Sequence, residues 1–162
     1  MKDLIDKVCT PERTVSRYVV ESVLNLGLEI AREGREGRKI GTIFTLGDEE
    51  KVLAFSRPLM LDPLFGHPDE VKMITDQDMQ ETIKELAQLD GAFVVTGKGI
   101  VISAARYLEA PSRGVVIPTG LGARHMAGAA ISLHTKAVVV VVSASSVVRI
   151  FLDGKIVGKL TP

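Results

Sequence analysis

Cysteine occurs once in these 162 residues, at position 9, and tryptophan does not occur. A single thiol excludes an internal disulfide framework and the paired-cysteine zinc patterns, so Cys9 reads as a small apolar side chain near the terminus. Net charge is missing too: 20 Lys and Arg balance 20 Asp and Glu. A neutral chain projects no broad field to hold a polyanion, which disfavours nucleic acid as a partner and leaves local binding of one small anion open. Long hydrophobic runs are absent as well. The longest, Ala137 to Val142, is far below the roughly 20 residues that span a bilayer. The opening MKDLIDKVCTPERT scatters charges where a signal peptide would carry an apolar core. A soluble cytoplasmic protein with no membrane partner is expected.

What is present suits a globular domain: 46% hydrophobic and 25% charged residues. The length suits one domain, read as residues 14–162 behind a lead-in of residues 1–13. Val15, Val19, Val23, Leu26 and Ile30 recur at helical steps, with Thr14 as cap and Glu33-Gly34 as end. REGREGRK then reads as a solvated loop, Lys39–Leu46 as a strand, and Asp48 as the cap of a short helix to about Ser56. Residues 57–75, with three prolines, read as an irregular excursion containing a surface His67. Thr75–Leu89 is a second amphipathic helix with acids at its start. Ala92–Thr96 and Ile100–Ala104 form a hairpin through Gly97-Lys98-Gly99, and 106–114 is irregular.

A helix opening in GLGARHMAG, Gly120 to Gly128, runs on through Leu133. His134 and Lys136 lie at its far end, where cations suit the helix dipole. Val138–Val142 is a strand buried on both faces, and a hairpin, Val147–Leu152 and Lys155–Leu160, closes the chain. About six strands and four helices in mixed order predict an α/β fold: a three-layer sandwich with a mixed twisted sheet flanked by helices.

Three glycine-rich readings compete for phosphate. DGAFVVTGKG fails as a P-loop because its glycine spacing is long, Gly99 stands where Ser or Thr is needed, and the segment is a hairpin. GLGARHMAG fails as a dinucleotide fingerprint because His125 occupies the third glycine position and no acid ends the next strand. A simpler reading survives. Gly120 and Gly122 lead into a helix whose first turn holds Arg124 and His125, and free amides with an arginine fork suit phosphate oxygens. Two cations at a helix start oppose the macrodipole, which a bound anion would offset. Equally, both side chains can point to solvent. Asp90, between a helix and a buried strand and followed by Gly91 and Ala92, is either a metal ligand or proton acceptor, or a plain turn aspartate.

Together, LDGAFVV at 89–95 and GARHMA at 122–127 resemble the two signature motifs of the diadenylate cyclase (DAC) domain, DGA and G-T-R-H-R. The stretches REGRKIGTIFTLGD, ITDQDMQETIKELAQLDGAF and VVVVVSASS resemble their counterparts, so the likeness covers most of the chain, with an archaeal-type member the nearest pattern. The resemblance implies condensation of two ATP into cyclic di-AMP and two pyrophosphates with Mg²⁺ or Mn²⁺. It implies a homodimer, compatible with a larger oligomer, in which each ribose 3′-hydroxyl attacks the partner's α-phosphorus. By the same resemblance Asp90 binds metal and helps activate the hydroxyl, and Gly91 and Ala92 lie against the nucleotide. Gly122, Ala123, Arg124 and His125 hold the phosphates, with His125 near the metal. Tyr107 lies beside the base, the Leu108 backbone reads the adenine edge, and Ser143 reaches phosphate. Two positions depart from the family: Ala123 replaces a threonine and Met126 an arginine. Three consequences stay open: a slower enzyme, another cation supplied from elsewhere, for which Arg106 and Arg113 lie in the preceding loop, or a branch whose phosphate grip differs. The alternative is a non-catalytic module of the same fold that binds ATP or cyclic di-AMP.

Overall fold

A strand apolar on both sides must divide two apolar layers, and Val138–Val142 does so. In the computed structural model, which describes residues Met1–Pro162, the order is α1 (Lys2–Val8), α2 (Arg17–Glu33), β1 (Thr42–Leu46), α3 (Glu49–Ala54), β2 (Ser56–Pro58), α4 (Gln77–Leu86), β3 (Ala92–Val95), β4 (Val101–Leu108), α5 (Ala123–His134), β5 (Val138–Val142), β6 (Val148–Leu152) and β7 (Lys155–Leu160). Val138, Val140 and Val142 join the α2-side core with Phe44, Leu24 and Ile83. Val139 and Val141 join the α5-side core with Ile131 and Phe151. The period-2 alternation of a strand thus sends neighbouring valines to opposite layers, and the three-layer α/β sandwich stands.

The sheet has seven strands, in the order β2-β4-β3-β1-β5-β6-β7. The seventh, β2, pairs only with β4 and sits at the edge. Its Pro58 lacks a ladder donor, which suits an edge and hides the strand from a pattern search. Residues 106–108, expected as loop, continue β4 to Leu108. The first strand begins at Thr42 rather than Lys39, and α2 begins at Arg17 rather than Thr14. A 3-10 turn at Pro11–Arg13 ends with Thr14 in the left-handed region, so the helix cannot start there. The lead-in residues fold too: Ile5 and Val8 of α1 lie in the main core.

Two features lock the layers. Lys84 of α4 is buried, with its Nζ 2.8 Å from Glu29 and 3.5 Å from Glu33 of α2, and 3.3 Å from Glu81. The Glu29 hydrogen bond, ahead of that from Glu81, holds the ammonium above its ordinary value and outweighs burial. On the opposite layer, a Cβ at Gly128 would lie 2.7 Å from Val141 Cγ2, so α5 packs closely on β5 through a residue without a side chain.

Candidate functional site

Strand direction decides which chain ends meet. β1 and β3 run parallel, with Ile43 opposite Ala92. β5 runs antiparallel to β1, so its last residue, Val142, lies opposite Thr42. Arg106, near the end of β4, lies opposite Ala92. The entries of β1 and β3 and the exits of β4 and β5 therefore lie at the same end of the sheet, and the first turn of α5 covers it.

A cavity of about 680 Å³ opens there. Asp90 and Gly91 line it at the entry of β3, Tyr107 and Leu108 at the exit of β4, and Ser143 just beyond β5. Gly122, Ala123, Arg124 and His125 line it from α5. One expected contact lies deeper: Ala92 is buried beneath the cavity, in the core with Ile43 and Val94. The lining also includes Leu59, Arg106 and Ser145, which the motifs do not name.

Gly91 has φ +101°, and a Cβ there would meet the Ala105 and Arg106 backbone at 2.7–2.9 Å. The β4 chain crosses it at an irregularity where Ala105 itself has φ 54°. Only glycine fits both the conformation and the space, which fixes Asp90 at the cavity mouth. Ser143 is held by its own turn: its Oγ lies 2.7 Å from Ser145 Oγ and accepts from the Ser145 amide at 3.1 Å.

The cations divide into engaged and free. Arg106 donates to Ser56 Oγ at 3.1 Å, to the Ser56 carbonyl at 3.2 Å and to the Leu53 carbonyl at 3.4 Å, so it braces the cavity wall. Arg113 stands outside the lining. Arg149 of β6 comes to the first turn of α5, and no sequence motif marks it. Its Nη1 lies 3.2 Å from Nε2 of His125. A guanidinium only donates, so Nε2 accepts and the neutral ring carries its proton on Nδ1. Burial first, then the charges of Arg149 and Arg124, hold this imidazole below its ordinary value.

Arg124 takes part in none of the chain's ion pairs. Its guanidinium lies across Gly41, where a Cβ would come within 2.3 Å of Nη1 and 2.7 Å of Cζ. Gly41 was also missed; its signal is a glycine just before a strand. The local balance is thus cationic in a neutral chain: Arg124 and Arg149 at a helix start, with Asp90 the one carboxylate in the cavity lining.

Of the two metal positions expected, Asp90 faces the cavity, whereas Nε2 of His125 is taken by Arg149. No group of three or more His, Cys, Asp or Glu side chains converges to hold a metal ion. A lone carboxylate suits Mg²⁺ or Mn²⁺ when phosphate oxygens and water complete the shell. No helix is long and apolar enough to cross a membrane.

Residues 29–156 match the model of the DAC family, described as DisA bacterial checkpoint controller nucleotide-binding. The chain is 49% identical over 147 residues to a diadenylate cyclase of Methanocaldococcus jannaschii, covering 90% of this chain and 46% of that protein. It is 40% identical over 145 residues to a diadenylate cyclase of Haloferax volcanii, covering 89% and 53%. It thus spans about half the length of the curated relatives it matches. Among solved structures, a hypothetical membrane spanning protein from Bacillus cereus superposes with a TM-score of 0.58 at 17% identity, covering 86% of this chain and 60% of that one. A double mutant of DacA from Staphylococcus aureus gives 0.54 at 22%, covering 86% and 84%. Those two likenesses are of fold. The family match spans every residue that lines the cavity, and this chain belongs to the DAC nucleotide-binding family.

Proposed function

We propose that this chain is a diadenylate cyclase domain that condenses two ATP into cyclic di-AMP with release of two pyrophosphates. One observation carries the reading: the Asp90 carboxylate and the unpaired Arg124 guanidinium face the same cavity at the start of α5. Adenine would lie against Leu108 and Tyr107. The triphosphate would lie over Gly122 and Ala123, where the first amides of α5 and Arg124 meet its negative charge. Phosphoryl transfer rests on alignment and charge neutralisation, and this arrangement offers both.

In each half-reaction a ribose 3′-oxygen bonds to the α-phosphorus of the other nucleotide. The P–O bond to the β-phosphate breaks, and pyrophosphate leaves with its electron pair. The hydroxyl proton passes to the Asp90 carboxylate or to water. His125, neutral and fixed by Arg149, supports the phosphate end without adding to the positive charge of Arg124 and Arg149. A divalent ion at Asp90, Mg²⁺ or Mn²⁺, would supply neutralisation of the phosphate oxygens. Because each nucleotide supplies both nucleophile and target, two copies of the chain must face one another.

The test is incubation of the purified protein with ATP and Mn²⁺ or Mg²⁺, followed by chromatography for cyclic di-AMP. Product should form, and activity per subunit should rise with protein concentration as the dimer assembles. Asp90→Asn should abolish product with an unchanged melting temperature. Full activity in that variant removes Asp90 from the chemistry. ATP binding without product under both metals favours a binding module.

A further inference from the structure

A second cleft, of about 320 Å³, lies on the far side of Asp90 and Arg124 and shares both of them, with Ala144, as a common wall. Its outer wall comes from the turn between α2 and β1 and includes Arg35, Arg38 and Lys39. That turn is built. Arg35 and Arg38 exchange two backbone hydrogen bonds of 2.9 Å around Glu36 (φ 51°) and Gly37 (φ 76°), a two-residue hairpin loop. Gly34 lets it fold back on the helix end, since a Cβ there would overlap the Arg38 carbonyl oxygen. Arg35 anchors it to α4, with its Nε 3.2 Å from Glu85 and its Nη2 3.5 Å from Glu81.

Two of the three turn cations are occupied: Arg35 by those carboxylates, and Lys39 by the Ala31 and Arg32 carbonyls at 3.2 Å. Arg38 is not. It is exposed, pairs with no carboxylate, and borders a cleft whose inner wall holds the equally unpaired Arg124. Four cations, Arg35, Arg38, Lys39 and Arg124, line the cleft against two carboxylates, Glu36 and Asp90. The two guanidiniums free of ion pairs suit a compact polyanion, which each can grip through a pair of oxygens.

We propose that this cleft binds inorganic pyrophosphate, or the β,γ end of a nucleoside triphosphate, with Arg38 as its outer contact. The assignment rests on the cyclase reading for its purpose. With adenine at Leu108 and the α-phosphate near Gly91, a triphosphate running past Arg124 enters this cleft. The leaving pyrophosphate then departs on the side away from the two nucleosides being joined. The hydrogen-bonded hairpin fixes the backbone at Arg38 before the ligand arrives, so only its side chain is ordered on binding.

The experiment is calorimetric titration of the metal-free protein with inorganic pyrophosphate and, separately, with adenosine, comparing wild type with Arg38→Ala. Inorganic phosphate and sulfate serve as probes of simple charge attraction. Pyrophosphate should bind wild type, and Arg38→Ala should weaken it by about tenfold, the size of one charge-assisted contact, with adenosine affinity unchanged. Unchanged pyrophosphate affinity in the variant overturns the proposal. So does competition between adenosine and pyrophosphate, or sulfate binding as tightly as pyrophosphate. A protein that makes no cyclic di-AMP yet shows Arg38-dependent pyrophosphate binding refutes the cyclase reading and keeps the cleft. An active cyclase indifferent to Arg38→Ala in pyrophosphate binding does the reverse.

Discussion

Gly41→Ala tests how the site is held together from outside its motifs. A methyl group at this position would stand 2.3 Å from Arg124 Nη1, 2.7 Å from Arg124 Cζ and 3.0 Å from the Val142 carbonyl oxygen. The first two contacts involve the far end of a flexible side chain, which gives way easily; the third is a tight approach to backbone. The fold should therefore lose only about 1 kcal/mol. The guanidinium, however, must leave its place between the two clefts, and a charge-assisted contact to phosphate contributes about 1.5–3 kcal/mol. ATP affinity should fall roughly tenfold to a hundredfold, while the melting temperature drops by only a few degrees. Fluorescence-detected nucleotide titration and thermal denaturation read the two quantities separately. Arg124→Ala in the Gly41→Ala background should cost little more, because the contact is already lost. Wild-type ATP affinity in Gly41→Ala would refute the claim that the bare backbone at Gly41 seats the arginine.

Two further outcomes concern stability. Gly128→Ala introduces a Cβ 2.7 Å from Val141 Cγ2 and 3.4 Å from Val139 Cγ1, both on a fully buried strand. Overpacking of about 1–3 kcal/mol exceeds the helix-propensity gain of about 1 kcal/mol. The melting temperature should fall; an unchanged or higher value contradicts the close packing of α5 on β5. His125 is held below its ordinary value of 6.5 by burial and by Arg149 and Arg124. With the folded value depressed, the unfolded chain takes up the proton first. Stability is then full above 6.5 and declines as pH falls from there to the folded value. His125→Gln should flatten that part of a stability-versus-pH curve, and an identical slope in the variant would show that other groups produce it.

The pattern of residues alone determined much of this protein. The helical stripe of α2, the alternating burial of the valine strand and the turn glycines are local signals, because periodicity and backbone conformation are local properties. Asp90-Gly91 and Gly122-Ala123-Arg124-His125 could be singled out for the same reason: each forms its chemistry within a few adjacent residues. Only the tertiary structure decided what those residues meet. The parallel pairing of β1 with β3 and the antiparallel return of β5 put Gly41, Asp90 and Ser143 at one end of the sheet. Pro58 concealed an edge strand whose pairing with β4 gives that wall of the cavity its form. Arg149 lies on β6, beyond any motif, and Arg106 braces the cavity wall through Ser56 and Leu53. A side chain's partner is set by which strands are neighbours, and strand order is a property of the whole chain that no short stretch contains.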